Sequence, residues 1–429
     1  MSDSKAHVSV DAAVDRSAFL RSGLLAAGAA VVGSAQPAAA AATDGEPLAI
    51  PVTNKQLGAG VNDPPYGMPS RYERDVIRRT VPFLTAEDKS SVSFTPLQDL
   101  DGIITPSGVC FVRDHGGSPM LVNPLDHRLV VHGLVDRPLE FTMNELIRMP
   151  SESHVYFMEC GANGGMDYKG AQMQGVQFSH GMVHCCEWTG VKLSVLMDQV
   201  GVKPTAKWML AEGADAAAMT RSVPIEKALD DALIAWSQNG ERLRPENGYP
   251  LRLVLPGWQA NLNVKWLRRL KFGSDPWETR EETSKYTELL PDGKSRQFDW
   301  VMGTKSVITG PCPERPMQGH GYREVTGLAW SGFGKVTRVD VSFDGGVNWK
   351  PAALQEPIHT KALTRFRIPW SWNGETVLMQ SRAVDDRGHV QPTQEQLLAA
   401  RGGNAIYNRN SIHTWRINAD GTVNSVFVS

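Results

Sequence analysis

Phe157-Met158-Glu159-Cys160-Gly161-Ala162-Asn163-Gly164-Gly165 is the stretch on which the reading of this 429-residue chain turns. An apolar run ends at a cysteine and glycines follow at once, so a strand gives way to a turn whose backbone can approach something bulky. By itself Cys160 reads as a buried structural thiol, because a free cysteine commonly packs as a small hydrophobe. Its company in the chain reverses that reading.

Around Cys160, from Ile103 to about Tyr286, short apolar strands alternate with helical segments. Leu129-Val130-Val131-His132-Gly133-Leu134 reads as a strand and Leu193–Val200 as a helix. Pro250-Leu251-Arg252-Leu253-Val254-Leu255-Pro256 is a buried strand bounded by breakers. The spacing lacks a regular β-α-β period, and no G-x-G-x-x-G follows a strand, which excludes a doubly wound dinucleotide fold. From about Val301 the pattern changes. Val339-Asp340-Val341-Ser342-Phe343 alternates, Asp344-Gly345-Gly346 turns, and Val347-Asn348-Trp349 returns. Val377, Met379, Ser381 and Ala383 alternate towards Asp386-Arg387-Gly388. Apart from a helix at Thr393–Ala400 this is the signature of a β-sandwich. The expectation is an α+β protein. A mixed catalytic domain over 101–298 precedes an immunoglobulin-like sandwich over 299–429. Before them, 43–100 reads as an extended arm with one helical stretch near Tyr72–Arg79.

Composition excludes several classes. With 44 Lys+Arg against 46 Asp+Glu the net charge is −2, which gives no footprint for nucleic acid or a polybasic membrane surface. At the N-terminus, Arg16-Ser17-Ala18-Phe19-Leu20-Arg21 precedes an Ala/Gly/Val/Leu run and the small residues up to Ala42. A basic region, a short apolar core and small residues are the parts of a secretory signal over 1–42, so export to the periplasm is expected. The other reading, a membrane anchor, fails because the run is too short and too rich in Ala and Gly to span about 20 residues of hydrocarbon. The pattern is twin-arginine-like, with Ser17 in the second arginine's place. Five cysteines, Cys110, Cys160, Cys185, Cys186 and Cys312, leave at least one thiol over whatever pairs form, and metal ligation is one use for it. His184-Cys185-Cys186 suggests a metal site, but adjacent cysteines are poor zinc spacing; a structural role or a vicinal disulfide fits better.

Cys160 in its C-x-x-N turn resembles the cysteine motif of the sulfite oxidase family, and the resemblance continues in order along the chain. Phe111-Val112-Arg113-Asp114-His115 is similar to the family's F-x-R-N-H segment, and Gly181, Trp188 and Gly190 keep its glycine–tryptophan frame. Glu212-Gly213-Ala214-Asp215 resembles E-G-x-D. Asn247-Gly248-Tyr249-Pro250-Leu251-Arg252 resembles H-G-F-P-V-R, and Asn263-Val264-Lys265-Trp266-Leu267 resembles S-V-K-W-L. The ordered match covers about residues 100 to 429. It implies one molybdenum–molybdopterin cofactor per chain with Cys160 as the protein's metal ligand, a soft thiolate beside the pterin dithiolene. The resemblance places Phe111, Arg113, Asp114, His115, Asp215, Asn247, Arg252, Asn263, Val264 and Lys265 at the cofactor. The polar, anionic pterin needs burial with hydrogen-bond partners and positive charge, which Arg113, His115, Arg252 and Lys265 can supply. Outside the motif, Arg252 and Lys265 would read as ordinary ion pairs at strand ends. Arg113 is the candidate for orienting an anionic substrate. Tyr286 resembles the family's active-site tyrosine, and a surface loop position suits it equally. The sandwich resembles the family's dimerisation domain, so a homodimer is expected.

Some departures from the sulfite-oxidising pattern bear on the substrate. Gly164 and Gly165 stand where the family has two arginines, Phe178 where it has tryptophan, and Asn247 where it has histidine. The expectation is a roomier, less positive pocket for a sulfane sulfur carried on another protein. Together with Met302-Gly303-Thr304-Lys305-Ser306-Val307-Ile308-Thr309, the changes look most like the molybdenum (SoxC-type) subunit of sulfane dehydrogenases in thiosulfate oxidation. No C-x-x-C-H haem motif is present, so electrons are expected to leave through a c-type cytochrome subunit. The competing readings are a dehydrogenase of free sulfite and a non-catalytic cofactor-binding or interaction module.

Overall fold

A computed structural model describes residues 69–81, 92–117 and 122–428. The signal expected over 1–42, and the arm as far as 68, lie outside the described residues. Strand Ser151–Glu159 carries Cys160 at its end and pairs antiparallel with Val183–Lys192, with Met158 opposite His184. Val183–Lys192 pairs next with Leu233–Gln238, which also bonds Glu241–Arg242 and Arg252–Val254. Successive side chains on a strand point to opposite faces. Phe157, Val183 and Cys185 therefore enter a core shared with the C-terminal sandwich, while Met158, Cys186 and Trp188 enter a second core.

A second five-stranded sheet runs Leu139–Thr142, Arg128–Gly133, Leu267–Gly273, Trp208–Gly213, Thr220–Pro224. It is antiparallel except where Leu267–Gly273 lies parallel to Arg128–Gly133. Helix Leu193–Val200 buries Leu193, Leu196, Met197 and Val200, one stripe at helical spacing, and ends at Gly201 in the left-handed conformation. The helix expected near Tyr72–Arg79 is absent. Arg71–Glu73 is one turn of 3-10 helix, and Arg79–Thr80 joins a three-stranded sheet with Val92–Phe94 and Val112–Arg113. No residue from 71 to 79 is buried, and a short helix with no packed face is not stable alone.

The C-terminal part is a β-sandwich. One sheet holds Lys305–Gly310, Gly321–Trp330, Thr364–Trp372 and Ala353–Leu354; the other holds Lys350–Pro351, Val336–Ser342, Val377–Asp385, Thr414–Ile417 and Val423–Val426. Trp330, Phe366, Trp372 and Trp415 fill the space between them, and Val377, Met379, Ser381 and Ala383 all face inward as their alternation requires. Helix Gln394–Arg401 begins at a capping box between Thr393 and Gln396. The whole is an α+β domain of mixed sheets followed by a sandwich.

Candidate active site

The chain turns sharply after Cys160. The Asn163 amide donates to the Cys160 carbonyl at 2.9 Å, and the Cys160 amide donates to the Met182 carbonyl at 2.9 Å. Asn163 Nδ2 ties the turn to Glu159 Oε1 and the His180 carbonyl, each at 2.9 Å. Burial raises the Cys160 thiol above its usual pKa, and the Ala162 amide and the Arg113 guanidinium pull it back.

Gly164 and Gly165 both line a wide cavity beside Cys160, and both also lie against close backbone. A Cβ on Gly165 would lie 2.2 Å from the Ile406 carbonyl oxygen, and Gly164, at φ 76°, would put one 3.0 Å from the Ser179 carbonyl oxygen. Gly165 admits backbone from the sandwich domain, and Gly164 admits the Ser179 carbonyl, where larger residues would project.

All twelve residues singled out in the sequence line one cleft of about 690 Å³: Phe111, Arg113, Asp114, His115, Cys160, Asp215, Asn247, Arg252, Asn263, Val264, Lys265 and Tyr286. Arg252 is buried, donating to the Asn247 carbonyl at 2.8 Å, the Asn263 carbonyl at 3.1 Å and Met158 Sδ at 3.1 Å. Burial lowers its pKa to about 10, still well above neutrality. Its Nε has no partner, and no carboxylate among the described residues pairs with it. Lys265 does form an ion pair, with Asp114, and donates to the Glu246 carbonyl at 2.9 Å. Asp215 Oδ1 accepts from the Met219 amide at 2.9 Å. Asn263 is committed to the fold, accepting from the Leu255 amide at 2.6 Å.

Tyr286 belongs to the cleft and not to the surface. Its hydroxyl is 2.9 Å from His115 Nε2, and the Arg221 guanidinium sits 5.3 Å from its ring centre. Burial, then Cys160 and Tyr407, hold the phenol well above its usual pKa, so it stays protonated. Burial and the nearby Arg113, Lys265, Arg280 and Arg221 lower His115 to about 3, so the imidazole is neutral. Tyr286 (φ 52°) and Trp266 (φ 50°) both line the cleft in a left-handed conformation that costs a bulky residue about 1–3 kcal/mol.

A second, wider cavity of about 1890 Å³ shares Arg113, His115, Cys160 and Tyr286 with the cleft. Its walls are mainly apolar: Phe94, Ala162, Met166, Met173, Phe178, Met182 and, from the sandwich, Ile406.

Sequence reasoning missed Met158, His184, Arg221, Asn261 and Trp266, which also line the cleft or approach it. Strand parity could have found Met158, which shares a face with Cys160, and the register then delivers His184 opposite it. Arg221 carried no local signal. It is buried with Glu282 at 3.5 Å, a pairing set only by tertiary folding. The vicinal disulfide is not formed. Cys185 and Cys186 point to opposite faces of their strand, and all five thiols are free.

Residues 115–281 match the family described as "Oxidoreductase molybdopterin binding domain", and residues 296–415 match "Mo-co oxidoreductase dimerisation domain". The solved structure of the sulfane dehydrogenase SoxCD from Paracoccus pantotrophus superposes with a TM-score of 0.87 at 49% identity, covering 89% of this chain and 98% of that one. The chain belongs to the sulfite oxidase family. Mitochondrial sulfite oxidase of Rattus norvegicus is 28% identical over 356 residues, 77% of this chain and 64% of that protein. The NADH nitrate reductase of Ulva prolifera is 31% identical over 307 residues, 63% of this chain. The chain spans 34% of the length of that reductase. As a SoxC-type member of the sulfite oxidase family, the protein is an oxidoreductase with a molybdenum–molybdopterin cofactor. The residues present fit that cofactor: a single buried thiol, a buried guanidinium with a free Nε, and an unpartnered buried imidazole on His184 all face one cleft. No described helix is long and apolar enough to cross a membrane.

Proposed function

We propose that this enzyme oxidises a sulfane sulfur carried on a partner protein and passes the electrons to a c-type cytochrome subunit. In this reading it works after export to the periplasm, as a homodimer through its sandwich domain. The observation that carries the reading is the wide, mainly apolar cavity opening beside Cys160, far larger than a sulfite ion needs, with cations at Arg113, Arg280 and Lys285 but none at 164 or 165. A small dianion such as sulfite favours a tight cationic pocket; a sulfur on a protein-borne arm favours a roomy, apolar one. The sulfane dehydrogenase likeness supports the same choice.

When bound, the cofactor supplies oxygen-atom transfer coupled to a two-electron change, and the protein supplies position and charge. Cys160 would hold the metal. Arg252 and Lys265 would face the cofactor's anionic end, and the oxygen of Asp215 not engaged by Met219 would accept a pterin N–H. Arg113, on the wall common to both cavities, orients the terminal sulfur and its negative charge. Tyr286 offers a neutral O–H braced by His115. For each oxygen gained by the sulfur, one water is consumed and two protons and two electrons leave.

Steady-state assays with carrier-bound sulfane and with free sulfite, cytochrome c as acceptor, test the proposal. Preferred turnover of the carrier-bound substrate is expected. Fast turnover of free sulfite alone would establish a sulfite dehydrogenase instead.

A further inference from the structure

Beside the cofactor cleft lies a cluster of two thiols and an imidazole that the reaction does not use, and of the three only His184 also lines the cleft. Cys110 follows the 3-10 turn Ser107–Val109, and His184 and Cys186 share one face of Val183–Lys192. The Cys110 and Cys186 sulfurs are 3.4 Å apart, and with a ring nitrogen of His184 all three donor atoms lie within 4.8 Å of one another. We propose that Cys110, Cys186 and His184 bind one thiophilic d10 metal ion, separate from the molybdenum at Cys160.

Three observations support this site. First, His184 is 3% exposed, yet neither ring nitrogen has a hydrogen-bond partner. A buried polar group left unsatisfied costs about 1–3 kcal/mol, and a ligand bond removes that cost. The ring has two nitrogens, so one can serve the metal while the other meets the cofactor cleft, which His184 also lines. Second, Gln238 Nε2 donates to both sulfurs, at 3.2 Å to Cys110 and 3.1 Å to Cys186. An amide donor aimed at two sulfurs is the kind of outer support that orients thiolate ligands. Third, the charge balances. The buried Arg252 guanidinium has no carboxylate partner among the described residues, and a metal bound by Cys110 and Cys186 as thiolates would place negative charge near it.

The donor set also selects the ion. Two soft sulfurs and an imidazole discriminate against calcium and magnesium and favour Cu(I) or Zn(II). Metal–sulfur bonds of about 2.3 Å let one ion reach both sulfurs at their present separation. Structural zinc sites are almost always four-coordinate, and this group has three side-chain donors. Cu(I) with two thiolates leaves one negative charge, matching Arg252, so copper is expected. Zinc would bind with water as its fourth ligand.

Elemental analysis and metal-edge X-ray absorption on the molybdenum-loaded enzyme test the site. One copper per chain, with two sulfur and one nitrogen neighbours, is expected. Zinc in that environment would confirm the site and change the ion. Cys110→Ser and Cys186→Ser should each lose the second metal and keep the molybdenum, whereas Cys312→Ser should keep both. Two results overturn the proposal. One is a Cys110–Cys186 disulfide in the isolated enzyme, seen as a mass lighter by two hydrogens and two thiols that fail to react in denaturant. The other is both thiols free and no metal taken up when Cu(I) or zinc is supplied under reducing conditions. If the serine variants fail to fold, the absorption spectrum of the unaltered enzyme decides. The outcome is independent of which sulfur compound the enzyme oxidises.

Discussion

Lys305 Nζ donates to Glu159 Oε1 at 2.9 Å, and both residues are wholly buried. The lysine opens the first strand of the sandwich, and the glutamate is the residue before Cys160. Trp330 Nε1 donates to the other carboxylate oxygen at 2.7 Å, so two sandwich strands hold the end of the cysteine strand.

Breaking this pair strands a charge. Lys305→Met leaves Glu159 in a dry interior without its cation, and removal of one partner of a buried pair costs about 3–5 kcal/mol. Denaturant unfolding of the variant should show that loss. A change below about 1 kcal/mol would mean that the pair does not anchor the cysteine strand.

Cys160→Ser is expected to abolish turnover and to leave molybdenum poorly held, because a hydroxyl is a harder, weaker ligand than a thiolate. Its circular dichroism spectrum should match the parent, since the turn is fixed by backbone bonds and by Asn163. Full activity in the variant would remove Cys160 from the chemistry.

Restoring a family arginine at position 165 should not restore sulfite oxidation. Gly165→Arg drives a Cβ to within 2.2 Å of the Ile406 carbonyl, so the 406 segment must shift. Lower thermal stability, with no gain in turnover of free sulfite, is the expected result; a stable variant with fast sulfite turnover would contradict the packing described.

Acid should weaken the fold through His180 and His413, whose rings lie 5.0 Å apart. Burial, Lys305 and Arg409 push both well below the usual imidazole pKa. Below about pH 6.5 the unfolded chain therefore binds protons that the folded chain refuses. Stability falls as pH drops, by up to about 1.4 kcal/mol per pH unit for each ring. Melting temperatures at pH 7.5 and pH 5 should show this decline, and His413→Phe should flatten it. An unchanged slope in that variant would assign the acid sensitivity elsewhere.

Most of the frame was legible because it follows local rules. The stripe of Leu193–Val200 and the alternation at Val377–Ala383 each declare their buried face. The ordered motifs from Phe111 to Tyr286 were legible as a resemblance, and their residues converge on one cleft. What stayed hidden depends on distant parts of the chain. Cys110 lies 76 residues from Cys186, and only the fold brings the two sulfurs together. The close backbone at Gly165 was not foreseen because its neighbour is Ile406, which no pattern around the glycine reports. The Tyr72–Arg79 segment failed as a helix for want of anything to pack against.

The wider cavity is closed on one side by Ile406 and Tyr407, and the Tyr407 ring lies 4.8 Å from that of Tyr286. That wall comes from the last tenth of the chain. During synthesis the chamber cannot be finished until almost the whole polypeptide has left the ribosome. A chain truncated just before Ile406 would therefore have every residue of the metal-binding cleft and still lack one wall of the chamber beside it.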